Sequence, residues 1–489
     1  MIFTLWQYLT FFTLGAIIIL SVDDFFIDVY ALVKRLGPKK LSEKNLVDMN
    51  TIEQKRIAII VANWHEDEIL ERMIHGNIGR IDYQNYSFFL GVYPNDYKTL
   101  NIAKKLESNY QAVTVVVNSK DGPTSKGQML NEMIHFIRAE EIKTRVLYDV
   151  VLMQDSEDII HPQSLKLINL KMEQNDFLQT PVFSLPTKWT DLTRGTYIDE
   201  FAESHTRDML VRSHLRAAVP SAGVGTAMSH LFISDVLKIQ DDQLLKEDTL
   251  TEDYHLGIMA KRLGYASEFI CHYIDKKKSK DYIATREYFP ALVNTSIRQK
   301  TRWTLGISLQ GYQNLRWSDT FKENYFLWRD RRGLINTPIL ILSYLLTLSF
   351  LFFAAKQGEF PQFISNTPAI DLLFKLSFIF MTLRLVQRFR MVYPLYGFKT
   401  SLLIPLRWIL ANYINSRAAL SAIRQFYKSL VTGEKPAWVK TTHELPEMFG
   451  LESDNDLVIP SSEMSNEVSL DLKVSNRPRV TELATETET

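Results

Sequence analysis

Three carboxylates, Asp155, Glu157 and Asp158, fall directly after the apolar run Val150-Val-Leu-Met153. At the end of a strand such charges repel one another unless a cation lies between them. Oxygen ligands of this kind suit Mg2+ or Mn2+, which complete their shells with the phosphates of a substrate. An acidic, solvated loop with a helix cap is the plain alternative. A second acidic pair, Glu252-Asp253, follows Thr251 and precedes an amphipathic stretch running through Met259 to Leu263. Thr251 suits an N-cap, with acids in the first turn favoured by the helix dipole. The chemical reading makes one of the two carboxylates a general base for an acceptor hydroxyl. A third group is Gln299-Lys-Thr-Arg302-Trp303. Arg302 can neutralise a diphosphate and Trp303 can face a sugar ring, although helices at a membrane interface carry the same residue types.

Three near-matches exclude other chemistries. Gly122-Pro-Thr-Ser-Lys126-Gly127 lies where a phosphate loop would, but Lys126 precedes the second glycine and Gln128 takes the lysine position. Lys126 still suits a phosphate as a point charge. Gly223-Val-Gly225-Thr-Ala-Met228 lacks the third glycine of a dinucleotide fingerprint, and His65-Glu66-Asp67-Glu68 lacks the second histidine of a zinc protease.

The elements that must position these groups alternate. Residues 56–63 form a continuous apolar run of strand length, as in a strand buried on both faces of a parallel sheet. Further strands are expected at 87–93, 112–117 and 146–153, with helices at 68–78, 98–109 and 129–139 between them. This alternation predicts an α/β fold with a doubly wound, mostly parallel sheet. Ligands of such sheets sit beyond the carboxyl ends of the strands. That rule gathers Trp64-His65-Glu66, Pro94-Asn95-Asp96, residues 119–126 and residues 154–158.

Basic and acidic residues balance at 56 each, so a nucleic-acid footprint is absent. Cys271 is the single cysteine, which excludes an intrachain disulfide and a cysteine-based zinc site. Residues 2–22 and 334–355 are uncharged and each about one bilayer long, whereas Asp371 and Lys375 interrupt the start of a third apolar stretch at 369–385. Basic flanks at Lys34, Arg35, Lys39 and Lys40, and at Arg329, Arg331 and Arg332, place the middle of the chain on the cytoplasmic side. Residues 401–419 read as an interfacial helix. The expected division is an N-terminal membrane helix and its flank (1–54), a cytoplasmic α/β domain (55–320), membrane and interfacial helices (321–450) and a polar, disordered tail (451–489).

In order and spacing, Asn63-Trp64-His65-Glu66, Asp155-x-Glu157, Thr251-Glu252-Asp253 and Gln299-x-x-Arg302-Trp303 resemble a membrane-bound family 2 glycosyltransferase with the GT-A fold. Finer features resemble the phage adsorption protein B branch of that family. They are Ser21-Val-Asp23-Asp24-Phe-Phe-Ile-Asp28, Tyr93-Pro-Asn-Asp96, the run Pro220 to Thr226, and Trp438-Val-Lys-Thr-Thr-His443. The resemblance implies a nucleotide-sugar donor, with a UDP-sugar favoured, and inversion at the anomeric carbon. Glu66 and Asp96 would hold the uridine and ribose. Asp155 would contact the nucleotide and Glu157 the metal. Glu157 replaces the commoner aspartate, which leaves Asp158 as a co-ligand. Asp253 would be the base, with Glu252 beside it. Gln299, Arg302 and Trp303 would serve the diphosphate and acceptor. It further implies a polysaccharide or lipid acceptor, a bacterial inner-membrane setting with several spans, and an outer-membrane export partner. Three spans are few for a polymer channel, which favours a homo-oligomer or a partner.

Overall fold

The computed structural model describes residues 2–434, apart from 248, 277 and 278. At its centre Ile57–Ala62 (β1) runs between Tyr86–Val92 (β2) and Val150–Gln154 (β4), parallel to both. Val113–Val117 (β3) extends the parallel half beyond β2. Side chains alternate across β1. Ile57, Ile59 and Val61 pack with Met73 and Ile74 of helix Leu70–Ile78 (α2) and Leu106 of helix Tyr97–Asn109 (α3). Ala58 and Ile60 face Met129, Met133 and Ile137 of helix Lys126–Thr144 (α4). Both faces of β1 are therefore dry, as its unbroken apolar sequence required.

The sheet has seven strands in the order β7-β5-β6-β4-β1-β2-β3, with Phe177–Gln179 as β5, Thr226–Ser229 as β6 and Ser267–Phe269 as β7. The expected parallel arrangement holds from β3 to β4. β6 then runs antiparallel to both β4 and β5, so the sheet is mixed. Only β6 is reversed within the seven strands, so the domain is α/β with a mixed, mostly parallel sheet. Helix α4 starts three residues earlier than its apolar pattern suggested. Ser125 caps it by accepting from Gln128 N–H at 3.1 Å, a Ser-x-x-Gln start signal that the hydrophobic period alone misses.

Outside the sheet, helices Leu192–Glu203 (α5), Glu252–Arg262 (α6) and Val293–Thr304 (α7) border the carboxyl ends of the strands. Among the described residues one helix is long and apolar enough to cross a membrane. It is Gly333–Gln357 (α9), with mean hydropathy 2.1, and it contains the span expected at 334–355. It follows helix Phe321–Arg331 (α8). The expected N-terminal span is part of a longer helix, Ile2–Val33 (α1), because nothing after Val22 breaks it. The stretch at 369–385 lies within Pro368–Leu402 (α10), which kinks at Gly397 (φ 79°). Residues 401–419 enter Ile404–Thr432 (α11), which buries Arg407, Ala411, Ile414 and Ala418 and exposes Leu406, Ile409 and Tyr413.

Charges join these long helices to the domain. Arg332 of the turn between α8 and α9 pairs with Asp24 of α1 at 2.5 Å, and Arg329 of α8 pairs with Asp23. Arg207 joins Asp28 of α1 and reaches Glu203 at 2.6 Å, which also takes Arg388 of α10 at 2.6 Å. The acids at 23, 24 and 28 thus have a structural account as partners of arginines. Cys271 is buried at 1% exposure in a small core with Phe183 and Tyr282. The expected tail at 451–489 and the Trp438–His443 run lie outside the described residues.

Candidate active site

Local hydrogen bonds fix the strand ends around a cavity of about 310 Å³. Asn63, just past β1, donates to Val61 O at 2.9 Å and Gly91 O at 3.0 Å, and accepts from Ser156 Oγ at 2.8 Å. This one amide locks β1 to β2 and to the Asp155-Ser156-Glu157 turn after β4. Asn95 and Gly122 exchange two bonds, Nδ2 to O at 2.7 Å and N–H to Oδ1 at 2.8 Å. They hold the loop that leads to Lys126.

Lys126 Nζ projects from the first turn of α4 onto Asp155 Oδ1 and lies 3.5 Å from Gly223 O. Burial works against its ammonium, but the Asp155 carboxylate outweighs that and raises its pKa above the ordinary lysine range. Across from Asp155, Glu252 and Asp253 open α6 in the buried first turn. Burial, then the neighbouring Asp253 charge, pushes Glu252 up to about 7. Burial also raises Asp253, against the opposing pull of Lys126. Thr251, expected as an N-cap, makes no side-chain cap bond. Instead it packs on Gly306, where a Cβ would lie 2.4 Å from Thr251 Oγ1.

Helix α7 supplies Gln299, Arg302 and Trp303 to the same wall. Trp303 meets Tyr197 edge-on at 6.1 Å and Phe201 at 6.2 Å, both from α5. The structure therefore gathers Glu66, Lys126, Asp155, Glu157, Glu252, Asp253, Gln299, Arg302 and Trp303 around one cavity.

Two expected site residues fall outside the cavity wall. Asp158 is fully buried, and its Oδ2 turns back to accept from Asp155 N–H at 2.6 Å. Burial, then the charges of Glu287, Asp155 and Glu157, raises its pKa well above the carboxylate range. Through that bond it shapes the turn that carries Asp155 and Glu157. Asp96 is also buried, accepting from His65 N–H at 2.7 Å as it caps α3. Its carboxylate organises the His65–Glu66 loop behind the wall.

Sequence reasoning missed Glu287 and Phe201, which line the cavity. Neither sits in a motif or at a strand end of the main sheet, and only the packing of α5 and of the short strand Thr285–Glu287 brings them in. The loop at 221–224 was visible as a glycine pattern but not as a cavity wall.

Asp155 and Glu157 are two carboxylates at one turn, the number a Mg2+ or Mn2+ ion takes from protein when a diphosphate supplies further oxygens. Among the described residues no group of three His, Cys, Asp or Glu side chains converges as a ready-made metal site. The donor set fits an ion that binds together with a phosphorylated substrate.

Residues 54–306 match the family model described as glycosyltransferase like family 2, and the chain belongs to that family. Over 479 residues it is 33% identical to bacteriophage adsorption protein B of Escherichia coli strain K12 and, equally, to bacteriophage N4 adsorption protein B of Escherichia coli O157:H7. Those alignments cover 92% of this chain and 64% of each relative, so the chain spans under two thirds of their length. Among solved structures, mannosyltransferase PcManGT from Pyrobaculum calidifontis, in complex with GDP-Man and Mn2+, aligns with 84% of this chain and 99% of its own at 14% identity (TM-score 0.49). TarS 1–349 of S. aureus aligns with 78% and 92% at 13% identity (TM-score 0.33). The resemblance in the four motif groups is thus a family membership, and the enzyme class is glycosyltransferase.

Proposed function

We propose that the chain transfers a sugar, with inversion, from a nucleoside diphosphate donor to a growing surface polysaccharide at the cytoplasmic face of a bacterial inner membrane. One observation carries this reading. The Asp155–Glu157 turn and the Glu252–Asp253 pair face a single cavity, closed on a further side by Arg302 and Trp303.

The residues divide the work by position. Glu66 lies beside the β1 end, where a nucleoside fits against the strand ends. Lys126 and Arg302 bring positive charge to the diphosphate. Asp155 and Glu157 would hold a Mg2+ or Mn2+ ion, which when bound stabilises charge on the departing diphosphate. Asp253 takes the proton of the acceptor hydroxyl as its oxygen attacks the anomeric carbon, and the bond to the diphosphate breaks on the opposite face. Trp303 and Phe201 give an apolar bed for a sugar ring, and Gln299 adds an amide at its edge.

The membrane setting rests on α9, on the apolar outer face of α11 and on basic flanks at both ends of the domain. The resemblance of the motifs to the adsorption protein B branch motivates an outer-membrane export partner. Detergent-solubilised protein should release nucleotide from one member of a panel of UDP- and GDP-sugars, UDP-sugars being favoured. Release from none of them, with folded protein, would count against the reading.

A further inference from the structure

Helix α7 turns a second face away from the cavity. Lys300 projects there, 4% exposed, between the motif residues Gln299 and Arg302. Its Nζ donates to Glu200 Oε2 of α5 at 2.5 Å and to Asn415 Oδ1 of α11 at 3.0 Å. Asn415 Nδ2 in turn donates to Glu200 Oε1 at 3.0 Å. The three side chains close a ring across three helices. Lys300 Nζ also lies 4.8 Å from the centre of the Tyr197 ring, and Tyr197 is the residue that meets Trp303 edge-on. Beside Glu200, Asp199 of α5 takes Arg407, about two turns before Asn415 on α11, through two bonds of 2.7 and 2.9 Å.

A buried ammonium is costly unless it is fully paired. Apolar side chains of similar volume often hold helices together as well as a buried ion pair does. What such a ring adds is geometry, because its bonds form only when all three helices are in register. The consequence falls on the cavity. Glu200 precedes Phe201, and Lys300 lies between Gln299 and Arg302, so the ring ties both aromatic walls to α11.

We propose that Lys300 is a positioning residue: with Glu200 and Asn415 it sets, from α11, the placement of the Gln299–Arg302–Trp303 face against Phe201. The proposal rests on the acceptor and diphosphate role given to that face above. α11 is then a component of the active site, although it contributes no residue to the cavity wall.

The test uses the full chain in inverted membrane vesicles, which retain the cell's own acceptor, supplied with the nucleotide sugar that turns over. The readout is the ratio of sugar incorporated into vesicle material to sugar released into water. Loss of folded protein lowers both equally and leaves the ratio unchanged. Lys300→Met should lower the ratio about tenfold, within the cost of displacing a reacting group by about an ångström. Asn415→Ala, which keeps the ion pair, should lower it in the same direction by less. The exchanged pair Glu200→Lys with Lys300→Glu should recover most of the ratio. The Asn415 amide has a donor and an acceptor end, and a half-turn lets it serve the reversed charges. An unchanged ratio in both Lys300→Met and Asn415→Ala would overturn the proposal, as would an exchanged pair no better than Lys300→Met. Arg302→Ala is run in parallel. If it transfers normally, the role of the whole face fails; if it alone loses transfer, only the positioning role of Lys300 fails.

Discussion

Gly223 stands directly against Asp253: a Cβ at position 223 would lie 2.5 Å from Asp253 Oδ2. The backbone there is left-handed, with φ at 79°. The loop between Ala218, whose N–H donates to Glu323 of α8, and strand β6 therefore presses bare backbone onto the carboxylate, and Lys126 reaches the Gly223 carbonyl at 3.5 Å. Gly223→Ala should move Asp253 and cost about 1–2 kcal/mol of backbone strain. Turnover should fall by more than the loss of stability explains. Thermal unfolding and turnover measured on one preparation separate the two effects.

Asp253→Asn separates catalysis from binding. An amide of the same size cannot accept the acceptor's proton. Turnover should fall by about two to four powers of ten, the usual contribution of a general base, while donor affinity holds. If Asp253 serves only the helix start, asparagine costs at most about 1 kcal/mol of stability and the rate stays near normal. Isothermal titration with donor and a turnover assay on the variant decide between these.

The acidic pair also predicts a pH dependence of stability. Burial and the Asp253 charge raise Glu252 from 4.5 to about 7 in the folded chain. Between those values the folded state holds a proton that the unfolded state has released. Stability from this group is therefore greatest near the lower value and declines as pH rises toward 7. Glu252→Gln should flatten that part of the profile. Unfolding temperatures from pH 5 to 8 for both proteins provide the measurement, and parallel profiles would refute the assignment.

The two carboxylates at the β4 turn predict that turnover needs a divalent metal ion. Excess chelator should abolish turnover, with recovery on adding Mg2+ or Mn2+. Glu157→Gln should weaken donor binding as well as the rate, which distinguishes it from Asp253→Asn. Full turnover in chelator would reject the metal role of Asp155 and Glu157.

Orientation is testable apart from chemistry. Arg329, Arg331 and Arg332 lie immediately before α9, which motivates a cytoplasmic domain. A periplasm-active reporter fused after Lys120 should be silent, and strong activity there would invert the topology.

Much of the site was legible because a parallel sheet puts its ligand-binding residues at predictable places. β1 and β4 read as apolar runs, and the residues that follow them, Glu66, Asp155 and Glu157, reach the cavity. The reversal of β6 was not legible, since strand direction depends on how the chain returns through α5. Asp158 shows a finer limit. Sequence places it beside two site carboxylates, but its direction follows from the Asp155 N–H it accepts at 2.6 Å. Asp96 likewise reads as a site acid, and its place as the N-cap of α3 carried no separate sequence signal. Glu287 and Phe201 carried no local signal because they reach the wall only through tertiary packing.

The sole cysteine opens a route to observing the enzyme at work. Cys271 is sealed in its small core, and burial pushes its thiol far above the usual range, so little reactive thiolate is present near neutrality. Thiol-directed fluorophores or spin labels should therefore leave the folded native chain essentially unmarked. A cysteine introduced at exposed Tyr97 or Tyr427 would be the only site to take the label. Distance changes between the domain and α11 then become measurable without first stripping the chain of native cysteines.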